Sequence, residues 1–272
     1  MTGPIDVTPR VWDQLLATRS GHGCTCCGEW DAAEQHALDL YGPLARRDLG
    51  AMTIGQVGQS LDGRIATPTD DARDISGPDG LMHLHRMRAL ADGVMVGVNT
   101  ALHDHPRLTV RLCEGPQPTR VLLDPRGRVG DDAPMFADDG VRRLVIQTVD
   151  RPRPDGVDII RLQAVDGRLD PADIRSALHS EGVSSLLVEG GGVTIGWFID
   201  SGCLDRLHVA IAPLLIGDGP HGLSLPTPPQ KLSDAVRFSP SVFSVGAETV
   251  LDVPLTATAQ SAKIPRHMNS RA

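Results

Sequence analysis

No apolar run in this 272-residue chain approaches the roughly 20 consecutive residues that a helix needs to cross a bilayer. The opening residues Met1-Thr2-Gly3-Pro4-Ile5-Asp6 lack the basic and apolar regions of a secretory signal, so the expected location is the cytoplasm. Positive charge is short as well: 26 Lys and Arg stand against 34 Asp and Glu, a formal net charge of −8. That balance argues against a nucleic-acid binder and against an anionic membrane surface. An anionic ligand must therefore be met by a local cluster of cations. Cysteine follows no disulfide framework, because the count of five is odd and three are packed into Cys24-Thr25-Cys26-Cys27. No second ligand pair follows at finger-like distance, so free thiols and no metal site are expected. His103 and His105 read as exposed loop histidines, not as a metal pair. No internal repeat is present. What remains is an ordinary globular composition, 40% hydrophobic, enough for a real core.

The organisation is α/β. Pro9 near a helix start, then Val11, Leu15 and Leu16, and later Trp30, Ala33, Ala37 and Leu38, predict helices within residues 8–48. From Thr53 short strands alternate with helical patterns, with strands near 53–58, 94–97, 120–124, 143–148, 157–162, 185–189 and 206–216 and helices near 78–91, 171–181 and 193–201. Two more strand-like runs, 235–243 and 248–253, follow without a long helix between them, so the sheet is mixed and ends antiparallel. The expected organisation is an N-terminal helical extension over 1–50, a catalytic-size domain over 51–256 and a disordered tail over 257–272.

Two strand ends carry chemistry. In Leu186-Leu187-Val188-Glu189-Gly190-Gly191-Gly192-Val193-Thr194-Ile195-Gly196 an apolar strand runs into an acid and three glycines before a helix. Such a turn lets backbone N–H groups and the positive end of a helix dipole approach a phosphate. The spacing is not that of the usual GxGxxG fingerprint, so a second site is needed. It lies at Gly93-Val94-Met95-Val96-Gly97, followed by Asn99, Thr100, Asp104, Pro106, Leu108, Thr109 and Arg111. In open α/β sheets ligands sit beyond the carboxyl ends of strands, so the two ends read as two walls of one cleft. On residue chemistry alone, Arg88 reads first as a solvated helix charge and Leu108 as core. Asp62 reads as an Asx turn, Pro106 as a helix stop and Asp124 as a turn cap.

The ordered motifs Ser60-Leu61-Asp62-Gly63-Arg64-Ile65-Ala66, Gly97-x-x-Thr100, Asp104-x-Pro106-x-Leu108-Thr109-x-Arg111, Val188-Glu189-Gly190-Gly191 and Leu204-Asp205-Arg206-Leu207 before Ile211-Ala212-Pro213-Leu214-Leu215-Ile216-Gly217 resemble the pyrimidine reductase domain of riboflavin biosynthesis. The likeness covers about residues 53 to 254. It implies a dihydrofolate-reductase-like fold, a mainly parallel mixed sheet flanked by helices, and a homodimer. It implies an NADPH-dependent reduction of a phosphoribosylamino-pyrimidine, ribosyl to ribityl, by a reductase standing apart from the deaminase often fused to it. Carried over by position, Thr100, Asp104 and Gly191, Gly192, Val193, Thr194, Ile195 and Gly196 contact NADPH, while Arg88, Leu108, Arg111 and Glu189 contact substrate. Asp104 and Glu189 are the catalytic candidates, and Arg126 is suited to the cofactor's 2′-phosphate. The chain departs from the usual family pattern at Asn99, His105, Pro125 and Ala72-Arg73-Asp74-Ile75. Two further readings stay open: a reductase of the same fold acting on another heterocycle or imine, and a nucleotide-binding module without catalysis.

Overall fold

A computed structural model of the protein describes residues 3–72, 75–164 and 168–255. The expected tail and the departures at Arg73 and Asp74 lie outside the described residues. Helices α1 (Pro9–Arg19) and α2 (Ala32–Ala45) come first. They are followed by β1 (Met52–Ser60), α3 (Pro78–Leu90), β2 (Gly93–Gly97), α4 (Val98–Asp104), β3 (Thr119–Leu123), β4 (Arg143–Gln147) and β5 (Val157–Arg161). Then come α5 (Pro171–Ser180), β6 (Ser185–Glu189), α6 (Gly192–Asp200), β7 (Arg206–Ala212), β8 (Ser241–Val245) and β9 (Glu248–Pro254). The nine described strands form one sheet in the order β5-β4-β3-β2-β6-β1-β7-β9-β8. Only the β7–β9 and β8–β9 pairings are antiparallel. The expected mixed, mainly parallel sheet is thus what the chain forms.

Strand alternation sorts the core into two layers. One face presents Ile54, Val94, Val96, Leu122, Val145, Leu187, Ala210 and Val250 to residues of α1, α2 and α3, including Val11, Leu15, Leu38, Leu40, Leu44 and Met87. The other presents Val57, Met95, Val121, Leu144, Val188, Leu207 and Val209 to Ile174 and Leu178 of α5 and Ile195 and Phe198 of α6. Burying each such side chain contributes about 1.5–3 kcal/mol. The N-terminal helices share a core with the sheet, because their apolar stripes cover a face that would otherwise meet water. Local signals start them where expected. Thr8 caps α1 ahead of Pro9, and Asp31 with Glu34 forms a capping box on α2. At the amino edge of the sheet, Asp92 accepts from Arg19 at the end of α1, from Arg47 beyond α2 and from the Ser185 N–H at the start of β6, at 3.3, 2.9 and 2.9 Å.

Three boundaries differ from the sequence reading. β7 stops at Ala212 because Pro213 has no N–H for the ladder, not at 216. The run at 235–243 becomes strand only from Ser241, immediately after Pro240. Residues 98–104, outside the helices expected from periodicity, form the short helix α4, which ends just before the expected helix stop Pro106. Among the described residues no helix is long and apolar enough to cross a membrane.

Candidate active site

β2 and β6 are adjacent parallel strands, so the two Gly-containing strand ends lie side by side. Beyond Glu189 the chain turns through Gly190 and Gly191 at φ 65° and 48°, a left-handed path that costs any residue with a Cβ. Space excludes a side chain too. A Cβ on Gly190 would stand 2.9 Å from Thr100 Cγ2, and one on Gly191 would stand 3.0 Å from Thr100 Oγ1. Thr100 therefore rests on the glycine turn. Gly191 caps α6 without any side-chain bond, which leaves the positive end of that helix without an acceptor side chain. The remaining predicted cofactor residues divide. Val193 is 67% exposed and Ile195 fully buried in the core. Thr194 Oγ1 packs on Gly97, while Gly192 and Gly196 lie flat against the backbone of Gly222 and Ser224. Packing thus accounts for the smallness of Gly192 and Gly196 and for the apolar character of Ile195.

Arg88 is not a solvated charge. It lies on α3 and is buried, and it meets the equally buried Glu189 in a bidentate pair, Nε to Oε1 at 2.6 Å and Nη2 to Oε2 at 2.7 Å. Burial alone lowers the Arg88 pKa, but the field and hydrogen bonds of Glu189 prevail and leave it raised. The third nitrogen, Nη1, donates to the Thr109 carbonyl at 3.0 Å. Of five guanidinium N–H groups two remain for a ligand. Leu108, buried at φ 55°, turns the chain into this segment. His85, one helical turn before Arg88, accepts from the Arg111 N–H at 2.9 Å. Gln117 closes both backbone groups of Val110, each at 2.8 Å, and Trp12 of α1 donates to the Glu114 carbonyl at 3.0 Å. The loop is tethered from three sides, and Arg111 is carried at its exposed rim, its Nη1 on Thr109 Oγ1. Partial burial and the neighbouring charges of Arg88 and Arg107 lower the Arg111 pKa, so the rim is locally cationic in an acidic protein.

Asp104 ends α4 as an exposed residue. Desolvation of its carboxyl still raises the pKa, against His103 and His105 on either side. Asp124 is fully buried. It accepts from the Arg128 and Val129 N–H groups and pairs with the equally buried Arg153 at 2.8 Å, so it organises the turn after β3. That turn leaves Arg126 exposed and brings Arg128 Nη2 to the Asn99 side-chain Oδ1 at 3.0 Å. Asp62 forms its Asx-like turn with Ser60 and also accepts from the Ile216 and Gly217 N–H groups. These bonds lower its pKa to about 2.

The structure thus gathers Thr100 and the 190–194 turn, and separately Arg88, Glu189, Leu108 and Arg111. Arg126 lies past β3, two strands from β6 and roughly 10 Å away at the usual strand spacing. An uncapped helix start, a hydroxyl on a glycine turn and a guanidinium two strands away fit the pyrophosphate and 2′-phosphate of a phosphorylated dinucleotide. Three supporting residues escaped the sequence reading: His85, Gln117 and Gln56. Gln56 stands in register with Glu189 on one side and His208 on the other. Gln56 alone carried a signal, as a polar residue interrupting an apolar strand.

A sequence model of the RibD C-terminal domain matches residues 52–253. The chain is 31% identical over 206 residues to a riboflavin biosynthesis protein RibD of Actinobacillus pleuropneumoniae, covering 71% of this chain and 54% of that protein. The chain thus spans about half the length of that curated relative. It is 34% identical over 166 residues to a 2,5-diamino-6-ribosylamino-4(3H)-pyrimidinone 5′-phosphate reductase of Methanothermobacter thermautotrophicus, covering 58% of this chain and 76% of that protein. Among solved structures, a diaminohydroxyphosphoribosylaminopyrimidine deaminase/5-amino-6-(5-phosphoribosylamino)uracil reductase from Thermotoga maritima shares the fold. Its TM-score is 0.68 at 24% identity, over 82% of this chain and 62% of that one.

The tether at His85 sets a pH dependence. Burial first, then Arg88 and Arg111, lower its pKa from 6.5 to about 4, which keeps Nδ1 available as acceptor for the Arg111 N–H. Between these values the unfolded chain binds a proton that the folded chain does not, so stability falls as pH drops from 6.5 to about 4. Urea unfolding across that interval should show the loss, and His85→Gln should flatten it; an equal slope in the variant would refute the assignment.

Proposed function

The chain belongs to the RibD C-terminal domain family, and we propose that it is an NADPH-dependent reductase of a phosphoribosylamino-pyrimidine, converting the ribosyl group to ribityl. NADPH supplies the hydride; the protein aligns the two reactants and manages charge and protons. Arg111 anchors the substrate phosphate as a rigid, permanently charged fork. Glu189, its position fixed by Arg88, uses its remaining lone pairs on a polar edge of the pyrimidine or sugar. Asp104, whose carboxyl pKa desolvation raises, relays a proton to the nitrogen of the opened sugar. Thr100 and the first turn of α6 receive the cofactor pyrophosphate, and Arg126 its 2′-phosphate. The last contact would favour NADPH over NADH by an ion pair.

The observation that carries this reading is the tethered 108–112 loop, which holds Arg111 at a cationic rim beside the Arg88–Glu189 pair. A charge-assisted contact of about 1.5–3 kcal/mol corresponds to a 10- to 150-fold effect. Arg111→Ala should raise the KM for the phosphorylated substrate by that order and leave NADPH affinity unchanged. An unchanged KM would sink the phosphate anchor.

We further propose a homodimer. It is supported by the large exposed apolar side chains Leu225, Leu232, Val236 and Phe238 within one segment, of a kind that a partner copy would cover. Light scattering at micromolar concentration should give twice the 29.0 kDa chain mass; the single-chain mass would contradict the dimer.

A further inference from the structure

The cleft lies at the carboxyl ends of the strands, and a second chemically distinctive cluster lies at the other edge. The loop joining α1 to α2 follows Arg19, which binds Asp92 at the amino edge of the sheet. It touches the last turns of α2, where Thr25 packs on Gly42. From there the chain runs through 46–51 into the amino end of β1. This loop carries Cys24, half-buried, and Cys26 and Cys27, both exposed, all as free thiols.

The three sulfur atoms lie within 4.8 Å of one another, and Cys26 Sγ and Cys27 Sγ are 3.8 Å apart. Four sulfurs placed tetrahedrally about 2.3 Å from a Zn2+ ion stand about 3.8 Å from each other. Cys26 and Cys27 thus already hold the spacing that coordination requires, with the Cys24 sulfur within 4.8 Å of both. Cys24 and Cys27 stand at the Cys-x2-Cys interval, with Cys26 as a third donor between them. Their backbone is fixed from outside the cluster. Gln14 of α1 donates to the Cys24 carbonyl at 2.6 Å, and the Trp30 indole donates to the Cys27 carbonyl at 3.2 Å. The Arg10 guanidinium covers the Trp30 ring at 4.4 Å. Preorganisation of this kind lowers the cost of ordering the ligands when an ion arrives.

We propose that Cys24, Cys26 and Cys27 form a trithiolate site for one soft d10 cation of the Zn2+ class. Thiolates select such ions over the hard cations that carboxylates and waters prefer. On binding, each thiol gives its proton to solvent, three metal–sulfur bonds form and no electron is transferred. Structural zinc sites close with four protein ligands, whereas three leave a position open to water. The site is therefore an exchangeable one. The fold does not depend on it, because α1 and α2 are already locked into the core by Val11, Leu15, Leu38 and Leu44.

The test uses the full chain, reduced and stripped of metal, titrated with Cd2+ while thiolate-to-metal charge-transfer absorbance is followed, and with Zn2+ against a chromophoric chelator. One ion should bind per chain. Because even residues that only support a ligand typically change metal affinity 10- to 100-fold, Cys26→Ser should weaken binding by more than about 100-fold. Cys113→Ser, outside the cluster, should leave it unchanged. Chelation should remove the ion without altering the far-ultraviolet circular dichroism or the rate of NADPH oxidation. Absence of the charge-transfer band, or equal affinity in the Cys24→Ser, Cys26→Ser, Cys27→Ser triple variant, would overturn the proposal. Circular dichroism of each variant separates lost binding from lost fold.

Discussion

A buried bidentate ion pair, Arg88 with Glu189, holds the rest of the site in place. Taking each charge out of water costs several kcal/mol, and stranding one of them by removing its partner costs about 3–5 kcal/mol. The pair is sustained by two hydrogen bonds of 2.6 and 2.7 Å and by a third from Arg88 to the Thr109 carbonyl. Together they join two parts of the site. The Glu189 end fixes the last residue of β6, immediately before the glycine turn that supports Thr100. The Thr109 end fixes the loop that carries Arg111. Helix α3 is thus the frame on which the glycine turn and the 108–112 loop are set relative to one another, and His85, one turn earlier, adds the tether to Arg111 itself.

The pair also begins a polar row across the sheet beneath α3. Glu189, Gln56, His208 and Asp252 stand in register on β6, β1, β7 and β9. The His83 ring of α3 stacks on His208 with centroids 5.4 Å apart, and the fully buried Tyr41 of α2 bonds to His83 Nδ1 at 2.8 Å. Burial first, then the nearby His208, lowers the His83 pKa well below its usual value, and burial raises Tyr41 to about 12. Both groups therefore stay neutral under ordinary conditions. Arg206 completes the row by pairing with Asp252 at 2.5 and 2.6 Å. The N-terminal helices are tied to the sheet through this seam as well as through apolar packing.

How much of this the sequence disclosed depends on the distance over which each interaction acts. The strands 94–97 and 185–189 are apolar runs bounded by glycine or charge, and both form close to where the pattern puts them. α5 and α6 likewise follow their periodicity. Proline corrected the two overlong strands, because hydropathy registers side chains and not the missing N–H of Pro213 or Pro240. α4 is too short to display a helical period. Arg88 was unreadable for a different reason: a charge on a helix looks solvated until its partner, 101 residues later in the chain, is seen beside it. Gln117 and His85 act on backbone groups of a loop, which leaves no pattern in sequence. Thr100, Arg111 and Glu189 stand at strand ends that residue chemistry alone picks out, and family likeness adds their roles and that of Leu108, while the pairing that positions Glu189 emerged only from the fold.

The most direct test of the central claim follows the hydride itself. NADPH deuterated at the transferable position of the nicotinamide would be incubated with the purified protein and 5-amino-6-(5-phosphoribosylamino)uracil, and the product analysed by mass spectrometry and NMR. The account predicts one deuterium in the product, at C1 of the newly formed ribityl chain. Tight NADPH binding with the pyrimidine left unreduced and unlabelled would contradict it.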